Sequence, residues 1–398
     1  MADFQPIYKN RELFVPTFEI YVRGQGLPGD VLRDVVSVTY KDGVDQIDSF
    51  DLSVNNWDAA TFDFKYTGAA RPNARGERVG RIFEPGQTIE LWMGYRSPAP
   101  GEPSMTRLML AGIITSLSPS FPAGGQPTVR VSGQNVLRKL LTKQETHSYT
   151  TKTTPSEIAR QIVNRGHLKI DNLTVGIETP GSNEPDLGHV LQNNQYDILF
   201  LLQLAHQNGY DVLLRDKSDG KGQTRPVLVF GPSTSDRGTW ELEWGKSLMQ
   251  FNPTLTTAKQ VFELTVRGWD AVRKKKIEVT VNRDNLLARP LKDTEQRKRI
   301  EQGFRERREI IVDRPFRSRA EAKRYALDKL QRLANDMVTG TGATVGTPGL
   351  RTGSIVRMAG LGPTFDGRYF VKTTTHTIGP AGYTTEFEVR MEEPQGGG

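Results

Sequence analysis

The sequence predicts a mixed, β-rich α+β protein: two related small β-barrel domains with an intervening α/β region. Three observations carry this. Apolar residues alternate with period two at both ends of the chain, as half-buried antiparallel strands require. Helical periodicity is confined to a few stretches in the middle and near residues 318–338. The 39 Gly and 23 Pro among 398 residues supply the turns that many short strands need. A prior of roughly 100–200 residues per domain gives two or three domains for this length. The expected division is a first barrel-like domain over 1–141, an α/β region over 142–245, a second barrel-like domain over 246–393, and a flexible tail over 394–398.

In chain order, Val36, Val38 and Tyr40 alternate with Ser37 and Thr39, and Phe50, Leu52 and Val54 with Asp51 and Ser53. The stretch Thr154-Pro155-Ser156-Glu157 is a capping box with proline at the first helical position, which predicts a short amphipathic helix ending at Gly166. Tyr196 to Asn208 is almost continuously apolar, has Asp197 in its first turn and is followed by Gly209, the pattern of a buried helix. Strands Tyr210–Arg215 and Val227–Gly231 follow. Alternation returns at Phe262–Val266, Ile277–Val281 and Phe387–Met391. Between these lie Thr294 to Arg308, rich in helix formers but with Arg297 where a capping box needs Glu, and the box Ser318-Arg319-Ala320-Glu321. The latter opens a long helix with Ala322, Ala326, Leu330, Leu333 and Met337 on one face and Gly340 as its expected stop.

The two ends repeat one pattern. VSVTYKDG at 36–43 answers FELTVRGWD at 262–270, and DLSVNN at 51–56 answers EVTVNR at 278–283. PGQTIELWMG at 85–94 answers RTGSIVRMAG at 351–360. Gly112–Leu117 with Thr128–Val131 answers Gly367–Val371 with Thr385–Val389. Five strand-like segments recur in one order, which points to internal duplication.

Several function classes are disfavoured. The chain has no cysteine, which rules out disulfides and thiolate metal sites and suits assembly in a cytoplasm. No apolar run approaches the roughly 18–20 residues of a membrane span, and Met1 to Arg11 lacks the pattern of an ordinary secretion signal. Gly24-Gln25-Gly26-Leu27-Pro28-Gly29 fits the dinucleotide fingerprint, but the strand Val35–Tyr40 comes next where a helix must begin, so the motif reads as a hairpin loop. His147, His167, His189, His206 and His376 show no metal-ligand spacing, and the last two show no partner in sequence. No GxSxG elbow is present. Catalytic, cofactor-binding and metal-binding residues are therefore all expected to be none, and the chain is not expected to be an enzyme. A net charge of +7 and the basic clusters Arg273–Lys276 and Arg297–Arg308 could attract a polyanion. Stacking aromatics are sparse there, Phe304 being the exception, so a solvated hairpin tip and a salt-bridged helix are the expected readings.

Particular residues carry a resemblance. Val266-Arg267-Gly268-Trp269-Asp270, preceded by Phe251-Asn252-Pro253-Thr254-Leu255, is similar to the phage late control protein D family, which includes the hub part of VgrG proteins. So are Gln195-Tyr196-Asp197-Ile198-Leu199 through Asn208-Gly209-Tyr210, with Asn194-Gln195 in place of the family's acidic-serine pair. Gly346-Thr347-Pro348-Gly349-Leu350-Arg351-Thr352-Gly353, then Gly367–Val371, Thr375-His376 and Gly382-Tyr383-Thr384-Thr385, look like its C-terminal pattern. The resemblance implies a baseplate hub of a contractile tail or injection machine, assembled in the bacterial cytoplasm. It implies a homotrimer whose two barrels per chain imitate a hexamer and join a tail tube protein to a separate spike protein, beside other baseplate proteins. Nucleic acid is not an expected partner. A second class remains open: Thr154 to Lys169 also resembles half of a LysM-type glycan module, which would suit a peptidoglycan-binding or lytic tail-associated protein. A nucleic-acid binder is a third, marked by steep salt dependence.

Overall fold

The computed structural model describes residues 5–6, 15–68, 82–97, 105–150, 153–166, 168–170, 173–180, 184, 186–218, 224–232, 239–270, 273–286, 290–291, 294–312, 316 and 318–392. His167 and the tail from residue 393 lie outside them.

The N-terminal sheet unit comprises β1 (Pro16–Val22), the short helix α1 (Gly29–Asp34), β2 (Val35–Gly43), β3 (Ser49–Asn55), β4 (Thr88–Tyr95), β5 (Met105–Ser120) and β6 (Thr128–Asn135). In space the strands run β1–β4–β5–β6–β3–β2. Alternation decides which face is dry: Val38, Tyr40, Phe50, Leu52, Leu91, Val129 and Val131 are fully buried together, while the residues between them face outward.

The middle of the chain contributes β7 (Gln144–Tyr149), α2 (Pro155–Arg165), β8 (Val190–Tyr196), α3 (Asp197–Gln207), β9 (Asp211–Ser218) and β10 (Thr224–Gly231). The Thr154 hydroxyl accepts from the Glu157 backbone N–H at 3.2 Å, as its capping position requires. α2 and α3 share one core, in which Ile158, Ile162, Leu201 and Ala205 are buried.

The remainder begins with β11 (Thr239–Glu243) and β12 (Leu248–Leu255). A separate small layer follows, of β13 (Glu263–Asp270), β14 (Lys275–Asn282), α4 (Thr294–Gln302), β15 (Arg308–Ile311) and α5 (Arg319–Asn335). Its sheet runs β14–β13–β15, covered by the Ala322, Ala326, Leu330 and Ala334 stripe of α5. The chain then completes a second unit with β16 (Val338–Val345), β17 (Ile355–Ala359), β18 (Gly367–Gly379) and β19 (Gly382–Met391). This unit runs β11–β17–β18–β19–β16–β12 over its own core of Phe251, Tyr369, Phe387 and Val389.

The two units therefore share one strand order. They also share two irregularities. β5 carries one extra residue, Thr115, against β6, and β18 carries one, Lys372, against β19. β2 carries Val36 against β3, and β12 carries Met249 against β16. Bulges of this kind bend a strand at a fixed place, so matched bulges fix a residue-by-residue correspondence. The glycines Gly86 and Gly353 fall at one position of it, each with positive φ (94° and 82°). The first strand breaks the likeness: β1 is antiparallel to β4, whereas β11 is parallel to β17.

Several expectations are corrected. The strands at 262–270 and 278–283 are not the counterparts of β2 and β3; they are β13 and β14 of the small layer, and the counterparts are β12 and β16. The later strands correspond as expected, but one or two residues out of register, since Gly86 answers Gly353 and Gly112 answers Tyr369. The sheets do not close into barrels among the described residues: β1 and β2 remain unpaired with each other. A six-residue helix, α1, does follow the hairpin turn at Arg23-Gly24. α5 ends at Asn335 with Asp336 as its cap, and Gly340 lies inside β16, where a Cβ would stand 2.6 Å from the Phe251 ring.

Gly133 of β6 lies against the Phe50 ring, which a Cβ would meet at 2.3 Å. Gly133→Ala should destabilise the chain by about 1–3 kcal/mol, read as a lowered urea midpoint. Gly124→Ala, in open space, should leave the midpoint unchanged.

Candidate functional site at the strand junction

The two units are joined edge to edge. β2 pairs antiparallel with the distal half of β18, from Val38↔Ile378 to Gly43↔Thr373, so one ladder runs from one unit into the other. Beyond the bulge at Val36, the even-numbered residues Val38 and Tyr40 face the core, and the same alternation takes Asp42 inside, 3% exposed. Its partner comes from the turn before β17. Arg351 Nε donates to Asp42 Oδ2 at 2.6 Å, and its Nη2 donates to the Tyr40 hydroxyl and to the Met109 carbonyl at 3.2 Å. The guanidinium also lies 4.6 Å from the centre of the Tyr40 ring. The other carboxylate oxygen of Asp42 accepts from the Thr352 hydroxyl at 2.8 Å, the Thr374 hydroxyl and the Thr374 N–H at 3.2 Å. A buried carboxylate with this many donors satisfies the condition under which a charge can be kept out of water.

Burial pushes the Asp42 carboxyl up, but the Arg351 charge and the donated hydrogen bonds outweigh it and hold it below the usual range. Asp48, reached by the Tyr40 hydroxyl at 3.2 Å, has no such cation to itself. Burial, reinforced by the Asp42 charge, raises its carboxyl to about 7. His376 closes the cluster. Its Nε2 lies 3.0 Å from the Leu350 carbonyl, and its Nδ1 lies 3.0 Å from the Tyr383 hydroxyl and 3.1 Å from that of Thr385. These partners fit a neutral ring with the proton on Nε2. Burial lowers its pKa to about 4, the Asp42 charge opposing and the Arg351 charge assisting. Tyr95 of β4 adds a second tie, donating to the Gly346 carbonyl at 2.7 Å.

The residues singled out in the C-terminal pattern thus converge here. Arg351, Thr352 and His376 meet Tyr40 and Asp42 of the first unit, and Leu350, Tyr383 and Thr385 hold His376. His376 is among the most highly partnered side chains of the cluster, although its sequence neighbourhood showed no partner. His206 likewise meets Arg332, at 3.2 Å. In the middle region Asp197 accepts from Arg165 at 2.5 Å and Gln192 at 2.8 Å, which fixes α2 to the start of α3. In the Val266–Asp270 stretch, Gly268 gives room to Phe316, while Trp269 stands 59% exposed. Arg273–Lys276 is an exposed hairpin, Lys298 pairs with Glu295 at 3.1 Å, and Phe304 is buried under Arg283 and unavailable for stacking. Among the described residues no group of three or more His, Cys, Asp or Glu could hold a metal ion, and no helix is long and apolar enough to cross a membrane.

The sequence pattern of the Alg8 N-terminal domain family matches residues 13–379. The chain belongs to that family. No curated protein sequence matches it. Among solved structures, this family member resembles the 43 kDa tail protein of prophage MuSo2 from Shewanella oneidensis, with a TM-score of 0.64 at 16% identity over 94% of this chain and 98% of that one. The tail protein from Neisseria meningitidis MC58 gives 0.61 at 13% identity over 95% and 97%. The E. coli c3393 protein, described as a type VI secretion component similar to T4 bacteriophage tail proteins gp27 and gp5, gives 0.54 at 12% identity over 95% and 77%. The fold is that of phage tail proteins.

Two predictions follow from the cluster. Truncating one partner of a buried ion pair strands the other, so Arg351→Met should cost about 3–5 kcal/mol in chemical denaturation. The second concerns pH. Asp48, raised to about 7, contributes stability that is lost as pH rises from about 4 through 7; His376, lowered to about 4, imposes a penalty that fades as pH rises to 6.5. The two slopes oppose each other. Relative to the unaltered chain, Asp48→Asn should gain stability from pH 4 to 7 and His376→Gln should lose it from pH 4 to 6.5. Parallel pH profiles for all three proteins would refute the assignment.

Proposed function

We propose that this chain is the structural baseplate hub of a contractile, phage-tail-like injection machine. It acts without enzymatic activity, as a homotrimeric, pseudo-sixfold adaptor that joins the tail tube protein to a separate spike protein among the other baseplate proteins. The observation that carries this reading is the repeat. One chain holds two units of the same strand order, bulged at two matched positions and fused through one ladder. Three such chains supply six near-equivalent units to a sixfold partner while keeping threefold identity toward a spike, which is what a symmetry adaptor needs.

The tail-protein fold and the resemblance to late control protein D and VgrG support the same reading. Across the joined sheet, Lys41, Thr373, Thr375, Gln250, Asn252 and Glu386 line one open recess of about 260 Å³ that strands of both units share. The division into 1–141, 142–245 and 246–393 follows as the proposed domain plan, with the small β13–β15 layer carried inside the last. Assembly takes place in the bacterial cytoplasm, and the contacts belong to the large obligate class, roughly 2,000 Å² or more.

Light scattering on the purified chain should give three times the single-chain mass, and co-expression with the tube and spike proteins of the same machine should recover both with it. A single-chain mass at micromolar concentration, with neither protein retained, would sink the proposal.

A further inference from the structure

The fold leaves two strand edges open that its own repeat shows how to fill. β18 has β17 along the first half of one edge and β2 along the second half. β5, its counterpart, has β4 along the first half of the same edge. Along the second half no strand is paired among the described residues, and Ser116, Ser118, Pro119 and Ser120 are exposed there. In the mirror situation β2 is paired on both edges, while among the described residues its counterpart β12 has, besides β16, only a single bridge from its first residue, Leu248, to Trp244.

We infer that β12 of one chain docks on the distal half of β5 of a second copy, repeating between chains the β2–β18 junction made within one. This rests on the trimeric reading above and names the surface that builds it. The matched bulges set the register. Thr254 takes the place of Lys41 and Ser118 that of Thr375, so these two face each other, and Phe251 faces Phe121 where Val38 faces Ile378 within the chain. Pro253 falls opposite Pro119, so the centre of this ladder has no backbone N–H to offer, and prolines on an edge also discourage pairing with unrelated strands. Side chains must therefore supply much of the affinity.

They are present at the right end of the strand. Phe121 is 58% exposed and Phe62 80% exposed, in a run of edge-on rings in which Phe64 packs on Phe121 at 5.1 Å and Trp57 on Phe64 at 5.7 Å. A monomer gains nothing from leaving such a patch wet. The register brings Met249 of β12, 59% exposed, to that end, and a thioether is well suited to packing against ring edges.

The chain contains no cysteine, so a pair can be introduced without background. Facing residues of a non-hydrogen-bonded antiparallel pair stand about 4.5 Å apart at Cα, within reach of a disulfide. The double variant Ser118→Cys, Thr254→Cys, mildly oxidised, should give covalent dimers and trimers on a non-reducing gel, with the series ending at the trimer. Each single variant should stay a monomer on the same gel. Lys41→Cys with Thr375→Cys, the equivalent pair inside one chain, should close without raising the mass. Phe121→Asp, at an exposed position, should weaken association at least about tenfold while leaving the circular dichroism spectrum unchanged. If light scattering shows a trimer and the internal pair closes but the intermolecular pair does not, this docking mode is wrong and the trimeric reading survives; a monomer throughout overturns both.

Discussion

The pairing of β2 with β18 is the interaction on which the rest of the structure depends, because it makes two sheets into one. A ladder alone would hold them only loosely in register: sliding an antiparallel strand by one residue costs little in backbone hydrogen bonds but turns every side chain to the other face. Asp42 removes that freedom. In the observed register its carboxylate meets Arg351, Thr352 and Thr374 inside the protein. Displaced by one, it would leave the guanidinium buried without its counter-charge. Replacing such a pair by well-packed apolar side chains is often no worse for stability. What the pair adds is a single allowed alignment of the two units.

Much of this architecture was legible from local signals. Alternation marked most strands because one face of each sheet is dry and the other wet. Thr154, Ser318 and Gly209 marked helix ends because unsatisfied N–H and C=O groups must be capped there. Register was not legible. The aligned segments came out one or two positions apart because glycines were matched to glycines, Gly94 to Gly360 and Gly112 to Gly367, where the strand pairing makes Gly112 the counterpart of Tyr369. The largest misreading, FELTVRGWD as a counterpart of β2, arose because strands of any sheet draw on the same β-branched and aromatic residues. The true counterparts were inconspicuous, since β12 contains Pro253 and β16 contains Gly340 and Gly342, which the Phe251 and Phe387 rings require to be bare.

The junction cluster shows a second limit. The stretch from Gly346 to Gly353 was recognised as a pattern, but the purpose of Arg351 depends on Asp42, 309 residues earlier. No periodicity connects positions so far apart. The same holds for His376, whose threonine-rich surroundings gave no hint of Leu350 or Tyr383. Polar residues in a strand face that should be apolar were the only available sign: Asp42, Thr374 and His376 all interrupt an inward-facing row.

The placement of the small β13–β15 layer has a consequence for how the chain folds. In the first unit β2 and β3 are consecutive and join through a short turn, so their pairing is nearly a local event. In the second unit the equivalent strands, β12 and β16, are separated by residues 256–337, and closing a flexible loop of that length costs about 2–3 kcal/mol more than closing a hairpin. If the inserted strands and α5 fold first around their own core, they replace a floppy loop by a compact body whose two ends are already near each other. The insertion then works as a clasp, and the second unit becomes the late-forming part of the molecule, its ladders waiting on a module that belongs to neither sheet.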